Sequence, residues 1–245
     1  MKKIEHTYLE IDGKPVPAKI YQEYRNNVRV SIGKNAAILR LPLQMDKKQK
    51  RLQFGWFTRW VEKQFANNET LKTRFFPKLY KTGDNLTVGK RTYYLSVNYS
   101  ERKTFGARLT DNTIQLNLIK GAHPIGLHKS IKTLLSRVIG KHFHGEIADR
   151  VYALNQRYFQ KEIKKVSLKY NTSNWGSCST KGNINLSTRL LFAPDPVIDY
   201  VIIHELAHLV EMNHSPKFWK VVKSIMPDYK EKEKWLKVNG QFCDF

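Results

Sequence analysis

Cysteine is scarce in this chain of 245 residues: Cys178 and Cys243 are the only two, and they lie far apart. That inventory excludes a disulfide framework and a cysteine-based zinc knuckle, and two lone thiols fit a reducing compartment. Long apolar runs are absent as well. Stretches such as Leu190-Leu191-Phe192-Ala193 and Val201-Ile202-Ile203 are typical, whereas a membrane-spanning helix needs about 20 apolar residues. Residues 1–13 carry two lysines with no apolar stretch after them, which is not the pattern of a secretory signal. A cytoplasmic protein with no membrane partner is therefore expected. Acidic residues are also few, 21 Asp and Glu against 43 Lys and Arg, so the formal net charge is +22. Such an excess draws polyanions, nucleic acid among them, although a lysine-rich soluble surface would look the same. The apolar share, 41%, is that of a globular chain, and the length suits one large domain or two small ones.

No internal repeat or low-complexity linker interrupts the sequence. Up to Pro42 it reads as strands: Val28, Val30 and Ile32 alternate with polar residues before the turn Gly33-Lys34-Asn35, and Ile38 to Leu41 form a short strand. A helix is predicted from Asp46, an N-cap residue, to Ala66, with Leu52, Trp56, Trp60 and Phe65 on its apolar face and Lys47, Lys48, Lys50, Arg51, Arg59 and Lys63 on its other sides. Strands return between Asn85 and Ile119, with a hairpin turn at Thr110 to Thr113. A long amphipathic helix follows from Ile125 to Phe159, in which Gly140 and Gly145 mark a break. Two strands, Val166 to Tyr170 and Asn183 to Phe192, enclose the turn-rich stretch Asn171 to Gly182. Asp195 then N-caps a helix with Pro196 at its first position, running to Met212 and closed by Asn213 in a left-handed conformation. Further helices begin at Ser215-Pro216 and Pro227-Asp228.

The chemistry concentrates in Val201-Ile-Ile-His204-Glu205-Leu-Ala-His208-Leu-Val210. Residues four apart on a helix lie one turn above each other, so His204 and His208 point the same way and can supply two corners of a zinc site. Glu205 is displaced by about a quarter turn and can reach a metal-bound water without ligating the metal. Zinc lowers the pKa of that water, and the carboxylate accepts its proton, which is the mechanics of an H-E-x-x-H helix. The surrounding residues are apolar on nearly every side, so the helix is buried and its two histidines and glutamate need partners. Two core histidines bonded to carbonyls, with Glu205 on a lysine, would be the plain structural alternative. A catalytic zinc takes three protein ligands and keeps a position open. Glu211 and His214 are the candidates for the third. Glu211 sits on the same straight helix, about a turn too far along to close a tetrahedron, whereas a turn at Asn213 lets His214 fold back, so His214 is favoured. The predicted cofactor is one Zn2+ ion.

His204-Glu-Leu-Ala-His208-Leu-Val-Glu-Met-Asn-His214-Ser-Pro-Lys-Phe218-Trp219 resembles the YgjP-like metallopeptidase family, itself related to the WLM and SprT-like zinc peptidases. The upstream Asn174-Trp175-Gly176-Ser177-Cys178 resembles the R-W-G-S-C segment of the same family, with Asn174 in place of the usual Arg. The resemblance covers best the region from about Val166 to Trp235. It implies a zincin-like α+β core, zinc on His204, His208 and His214, and Glu205 as the catalytic acid/base. The expected fold is thus α+β: a small mixed or antiparallel sheet packed on the H-E-x-x-H helix, with a strand-rich N-terminal part. The expected division is 1–120, strand-rich with one basic helix, and 121–245, the zinc-hydrolase core, as one continuous family domain.

Asn174 to Cys178 are candidate substrate-binding residues, because a strand beside an active helix can pair with an extended peptide, and Asn183 to Leu190 offers such an edge. A structural role fits the same residues: Trp175 packing over the core, Gly176 adopting positive φ, Cys178 filling a small space. The basic clusters at Lys47 to Arg51 and Lys161 to Lys165, with 12 Tyr, 12 Phe and 5 Trp in the chain, would suit single-stranded nucleic acid or be a solvated face over core aromatics. His123, His128, His142 and His144 are not expected to hold metal. The leading expectation is a zinc metallopeptidase acting on a peptide or protein. The alternatives are a metal-dependent nucleoside triphosphate pyrophosphatase, a chemistry ascribed to part of the resembling family, and a nucleic-acid-binding module with zinc.

Overall fold

The computed structural model describes residues 3–33, 35–76, 80–122 and 124–245. The chain divides into two compact units, Met1–Lys78 and Leu79–Phe245. The expected turn residue Lys34 and the histidine His123 lie outside the described residues. No helix among the described residues is long and apolar enough to cross a membrane.

The first unit opens with β1 (Lys3–Ile11) and β2 (Lys14–Glu23), an antiparallel hairpin turned by Asp12 and Gly13 at φ of 51° and 69°. β3 (Arg29–Ile32) and β4 (Ala37–Pro42) complete a sheet of order β1-β2-β4-β3, in which only the β2/β4 pair is parallel. Two helices follow, α1 (Lys47–Ala66) and α2 (Glu69–Phe75). Asp46 caps α1 as expected: its carboxylate accepts from the Gln49 backbone N–H at 2.8 Å, and the Gln49 side chain accepts from Asp46 N–H at 3.2 Å. The apolar face of α1 is only partly the expected one: Phe65 is buried and Trp60 packs against the core as expected, whereas Leu52 and Trp56 do not. Phe57, Val61 and Phe65, spaced four apart, are fully buried against Leu9, Val16, Leu39 and Leu41, while Leu52 is 65% and Trp56 41% exposed. Aromatics at 54, 56, 57, 60 and 65 write two overlapping stripes, and the one that matches the sheet wins.

The second unit begins with β5 (Asn85–Val88), β6 (Arg91–Ser100), β7 (Gly106–Thr110) and β8 (Thr113–Ile119), ordered β5-β6-β8-β7 with β6 and β8 parallel. The predicted turn at Thr110–Thr113 closes the β7/β8 hairpin with Asp111 at φ 51°. Then comes α3 (Pro124–Tyr158), 35 residues without interruption. Gly140 does not break it. A Cβ there would come within 2.9 Å of the Thr188 methyl carbon, so the glycine answers a close approach between elements. β9 (Lys165–Lys169), β10 (Gly176–Cys178) and β11 (Asn183–Ser187) form a mixed sheet of order β10-β11-β9. The strand expected to reach Phe192 stops at Ser187, whose hydroxyl accepts from Arg189 N–H at 3.3 Å and starts a 3-10 turn over Thr188–Phe192. Three helices end the unit: α4 (Asp195–Ala207), α5 (Pro216–Ile225) and α6 (Tyr229–Asn239). The fold is α+β, and the small mixed sheet packs on α4 as expected.

The N-cap position of α4 is Pro194, one residue earlier than expected. Asp195 is thereby free to meet Arg150 of α3, which also binds Asp199, at 2.8 and 2.6 Å. The Arg150 guanidinium holds the Asp195 carboxyl below the usual carboxylate range. A carboxyl of depressed pKa stabilises the fold above its ordinary pKa, and that contribution disappears as the pH falls through the folded value. Arg150→Met should therefore lower the thermal midpoint at neutral pH, and the deficit should narrow in acid. Circular dichroism melts from pH 7 downwards test this; a deficit that does not change with pH would contradict it.

Candidate active site

α4 buries Val197, Ile198, Val201, Ile202, Ile203, Leu206 and Ala207; Asp195 and Asp199 face Arg150, and His204 and Glu205 face the cavity. His204 and Glu205 lie in the last turn of the helix, and His208 is its C-cap. The helix is shorter than expected. Past Ala207 the chain tightens, with Leu209 N–H on Leu206 O and Val210 N–H on Ala207 O at 2.9 and 3.0 Å, and Asn213 is not left-handed. Ser215 then accepts from Phe218 N–H at 3.4 Å and opens α5, as predicted. This short detour returns His214 to the helix: its Nε2 lies 3.0 Å from His204 Nε2. One ring nitrogen from each of His204, His208 and His214 falls within 4.8 Å of the others.

The rings are held by neighbours that leave nitrogens facing inward. His208 Nδ1 lies 3.3 Å from the Glu211 carbonyl oxygen, a bond in which the protonated nitrogen donates and Nε2 keeps its lone pair. Glu211 thus contributes its backbone to His208, while the third member of the cluster is His214. Phe218, fully buried, touches all three imidazoles with centroids 4.6 to 4.9 Å away. Trp219 stacks on Tyr229 at 5.2 Å, and Tyr229 on Tyr200 at 6.4 Å. Burial, reinforced by the other two imidazoles, pushes the His204 pKa down to about 4; burial also lowers that of His208. Neutral imidazoles with converging lone pairs are the donor set that a borderline-soft divalent ion takes. Three of them, with no fourth protein donor in the cluster among the described residues, match an open site.

Glu205 is buried without a cationic partner among the described residues, and burial pushes its pKa up to about 8. Its carboxylate presses against Gly176. A Cβ on that residue would lie 2.6 Å from Glu205 Cγ and Oε1. Gly176 has no positive φ, so close approach, and not backbone freedom, is what glycine supplies here. β10 is the edge of its sheet, and β11, expected as that edge, is the central strand. Ser187 N–H donates to Trp175 O at 2.8 Å and Ser179 N–H to Asn183 O at 3.0 Å, so Trp175 and Ser179 turn their backbone groups toward β11. By antiparallel alternation Gly176 and Cys178 turn theirs to the free side.

A cavity of about 580 Å³ opens over these groups and is lined by all of Asn174, Trp175, Gly176, Ser177, Cys178, His204, Glu205, His208 and His214. The sequence reading missed six other lining residues: Tyr200, Val201, Met212, Glu233, Leu236 and Lys237. Tyr200 could have been found, since it precedes His204 by one helical turn; nothing local marks the α6 residues. Cys178 stands outside the histidine cluster, and burial, with Glu205 nearby, pushes its thiol up to about 11. Trp175 is pinned by the Arg189 guanidinium, 4.7 Å from its ring. Arg189 also donates to the carbonyls of Thr172, Gly240 and Cys243 at 3.3, 2.7 and 2.8 Å.

An H-E-x-x-H helix, a third histidine from the following turn and a glutamate facing a strand edge make up a site of the metallopeptidase type. The chain belongs to the YgjP-like family, matching its metallopeptidase domain over residues 26–239. It is 33% identical over 58 residues to the UTP pyrophosphatase of Escherichia coli, a match covering 24% of this chain and 35% of that protein. The chain thus spans about a third of the length of that curated relative. Among solved structures it is similar to the metallopeptidase zymogen abylysin of Pyrococcus abyssi, with 27% identity, a TM-score of 0.35, and coverage of 38% of this chain and 92% of the other. The metallopeptidase zymogen jannalysin of Methanocaldococcus jannaschii gives 22% identity, a TM-score of 0.34, and coverage of 39% and 96%.

The contact between Gly176 and Glu205 makes a stability prediction. Gly176→Ala should destabilise the protein by about 1–3 kcal/mol through overpacking, and adding Glu205→Ala should recover most of that loss. Urea unfolding of the two single variants and the double variant measures the coupling; purely additive effects would contradict the contact.

Proposed function

We propose that the protein is a zinc-dependent peptidase in which His204, His208 and His214 hold one zinc ion and Glu205 is the general base. The observation that carries this reading is the cavity's chemistry: three converging imidazoles and a buried carboxylate beside an unpaired strand edge. Zinc, when bound, would acidify a water and polarise a carbonyl. Glu205, sheltered from cations and from bulk water, is suited to accept a proton from that water and deliver it to a leaving amine. The outward N–H and C=O groups of Gly176 and Cys178 can pair with an extended peptide and hold one of its carbonyls over the histidine cluster. Tyr200, Met212 and Leu236 give the cavity apolar walls for side chains.

A second reading, a nucleoside triphosphate pyrophosphatase, draws on the name of the Escherichia coli relative and on the chain's net charge of +22. A polyphosphate would call for convergent cations. Among the described residues lining the cavity the one Lys or Arg is Lys237, and it is paired to Glu233 at 2.8 Å. That favours the peptide. A nucleic-acid module with a structural zinc would need a closed site of four protein donors, and three histidines fall short of it.

Purified protein should carry about one equivalent of zinc, as three-histidine sites do. Glu205→Gln should keep that metal and lower turnover by about 10²- to 10⁴-fold, whereas His214→Ala should lose the metal. Elemental analysis, release from fluorescent casein and pyrophosphate release from a nucleotide panel, run on the same preparations, decide the substrate class. Zinc-dependent pyrophosphate release without casein cleavage would replace the peptidase reading by the second one. A metal-free protein with neither activity would refute both.

A further inference from the structure

The outward face of α1 combines exposed cations with an exposed tryptophan. Helical geometry sets Lys48, Leu52, Trp56, Arg59 and Lys63 in one stripe roughly 22 Å long, opposite the Phe57, Val61 and Phe65 face that the sheet buries. Leu52 and Trp56 are 65% and 41% exposed. Lys48, Arg51, Arg59 and Lys63 are exposed and have no acidic partner among the described residues; the exposed acid on that side of the helix is Glu62.

A second observation sits in the middle of the stripe. Gly55 lies inside the helix, where glycine is unfavourable. A Cβ there would meet nothing within 4 Å, so no packing in this chain asks for its absence. A bare stretch of helix backbone beside an exposed tryptophan lets a flat ligand come close.

We infer that this face of α1 binds single-stranded nucleic acid, with a base stacked on Trp56 across Gly55 and phosphates on Lys48, Arg51, Arg59 and Lys63. Stacking needs an aromatic face interleaved with cations, which is the pattern here. Insertion into a membrane needs a broad apolar face segregated from the cations, and the apolar face of α1 is already used by its own sheet. A duplex offers no free base to Trp56. The stripe, with Arg51 on the row beside it, presents four cations along roughly 22 Å of helix, enough to follow a short run of phosphates.

The test uses the full chain and fluorescence anisotropy of a labelled oligo-dT, with a duplex of equal length and vesicles of phosphatidylcholine and phosphatidylglycerol in equal parts as competitors. The oligonucleotide should bind, the duplex should bind more weakly, and affinity should fall with added salt. Trp56→Ala should weaken binding about tenfold, while Trp56→Phe retains most of it. Arg59→Ala with Lys63→Ala should weaken binding and flatten the salt dependence. Gly55→Leu, a substitution that favours the helix, should raise the thermal midpoint and still weaken binding, which separates the surface from the fold. No binding by the wild-type chain overturns the proposal. So does binding indifferent to Trp56→Ala and Gly55→Leu, or a preference for the vesicles.

Discussion

An ionisable carboxyl inside an apolar helix is the constraint around which the second unit is arranged. Glu205 sits between Val201 to Ile203 and Leu206-Ala207, all buried, and no cation comes to meet it among the described residues. A buried carboxylate without a partner is costly, so it can stay only where the fold provides an opening. The opening is the cavity under β10, where residue 176 leaves to Glu205 the space that a side chain would fill. Around that contact β10 is a sheet edge, α4 ends at His208, and the chain turns back so that His214 closes the cluster.

Much of the site was legible because helical spacing is arithmetic. His204 and His208 share a face by their separation, Glu205 is offset from it, and Ser215-Pro216 announces where the chain turns back. Less legible was how α4 ends. A tight turn after Ala207, with backbone bonds three residues apart, does the work assigned to Asn213. The roles of Gly176 and Gly140 were hidden for a related reason. Sequence shows that a side chain is missing, and only tertiary structure shows what occupies the space: Glu205 in one case, Thr188 in the other. The edge of the three-stranded sheet was misassigned because strand order is not written in strand periodicity.

On α1 the failure had another source. Five aromatics in twelve positions satisfy two helical stripes about equally, and the sheet selects Phe57, Val61 and Phe65. The residues left over, Leu52 and Trp56, then stand among cations on a face that local pattern had marked as core. Composition told only that cations were in excess. Their division between those tied to carboxylates, such as Arg150, and those left facing solvent, such as Arg59, is a property of the folded chain.

Arg189 joins parts of the molecule that are made at different times. Its guanidinium lies on Trp175, next to the glycine that faces Glu205, and its N–H groups grip carbonyls at Gly240 and Cys243. Gly240 in turn has no room for a side chain, because the Trp175 ring would meet its Cβ at 2.5 Å. The wall of the cavity is therefore braced by a segment synthesised some thirty residues after the last histidine. The histidine cluster and the opposite wall of the cavity thus rest on separate parts of the chain, so a change at residues 240–243 can loosen that wall without touching a histidine.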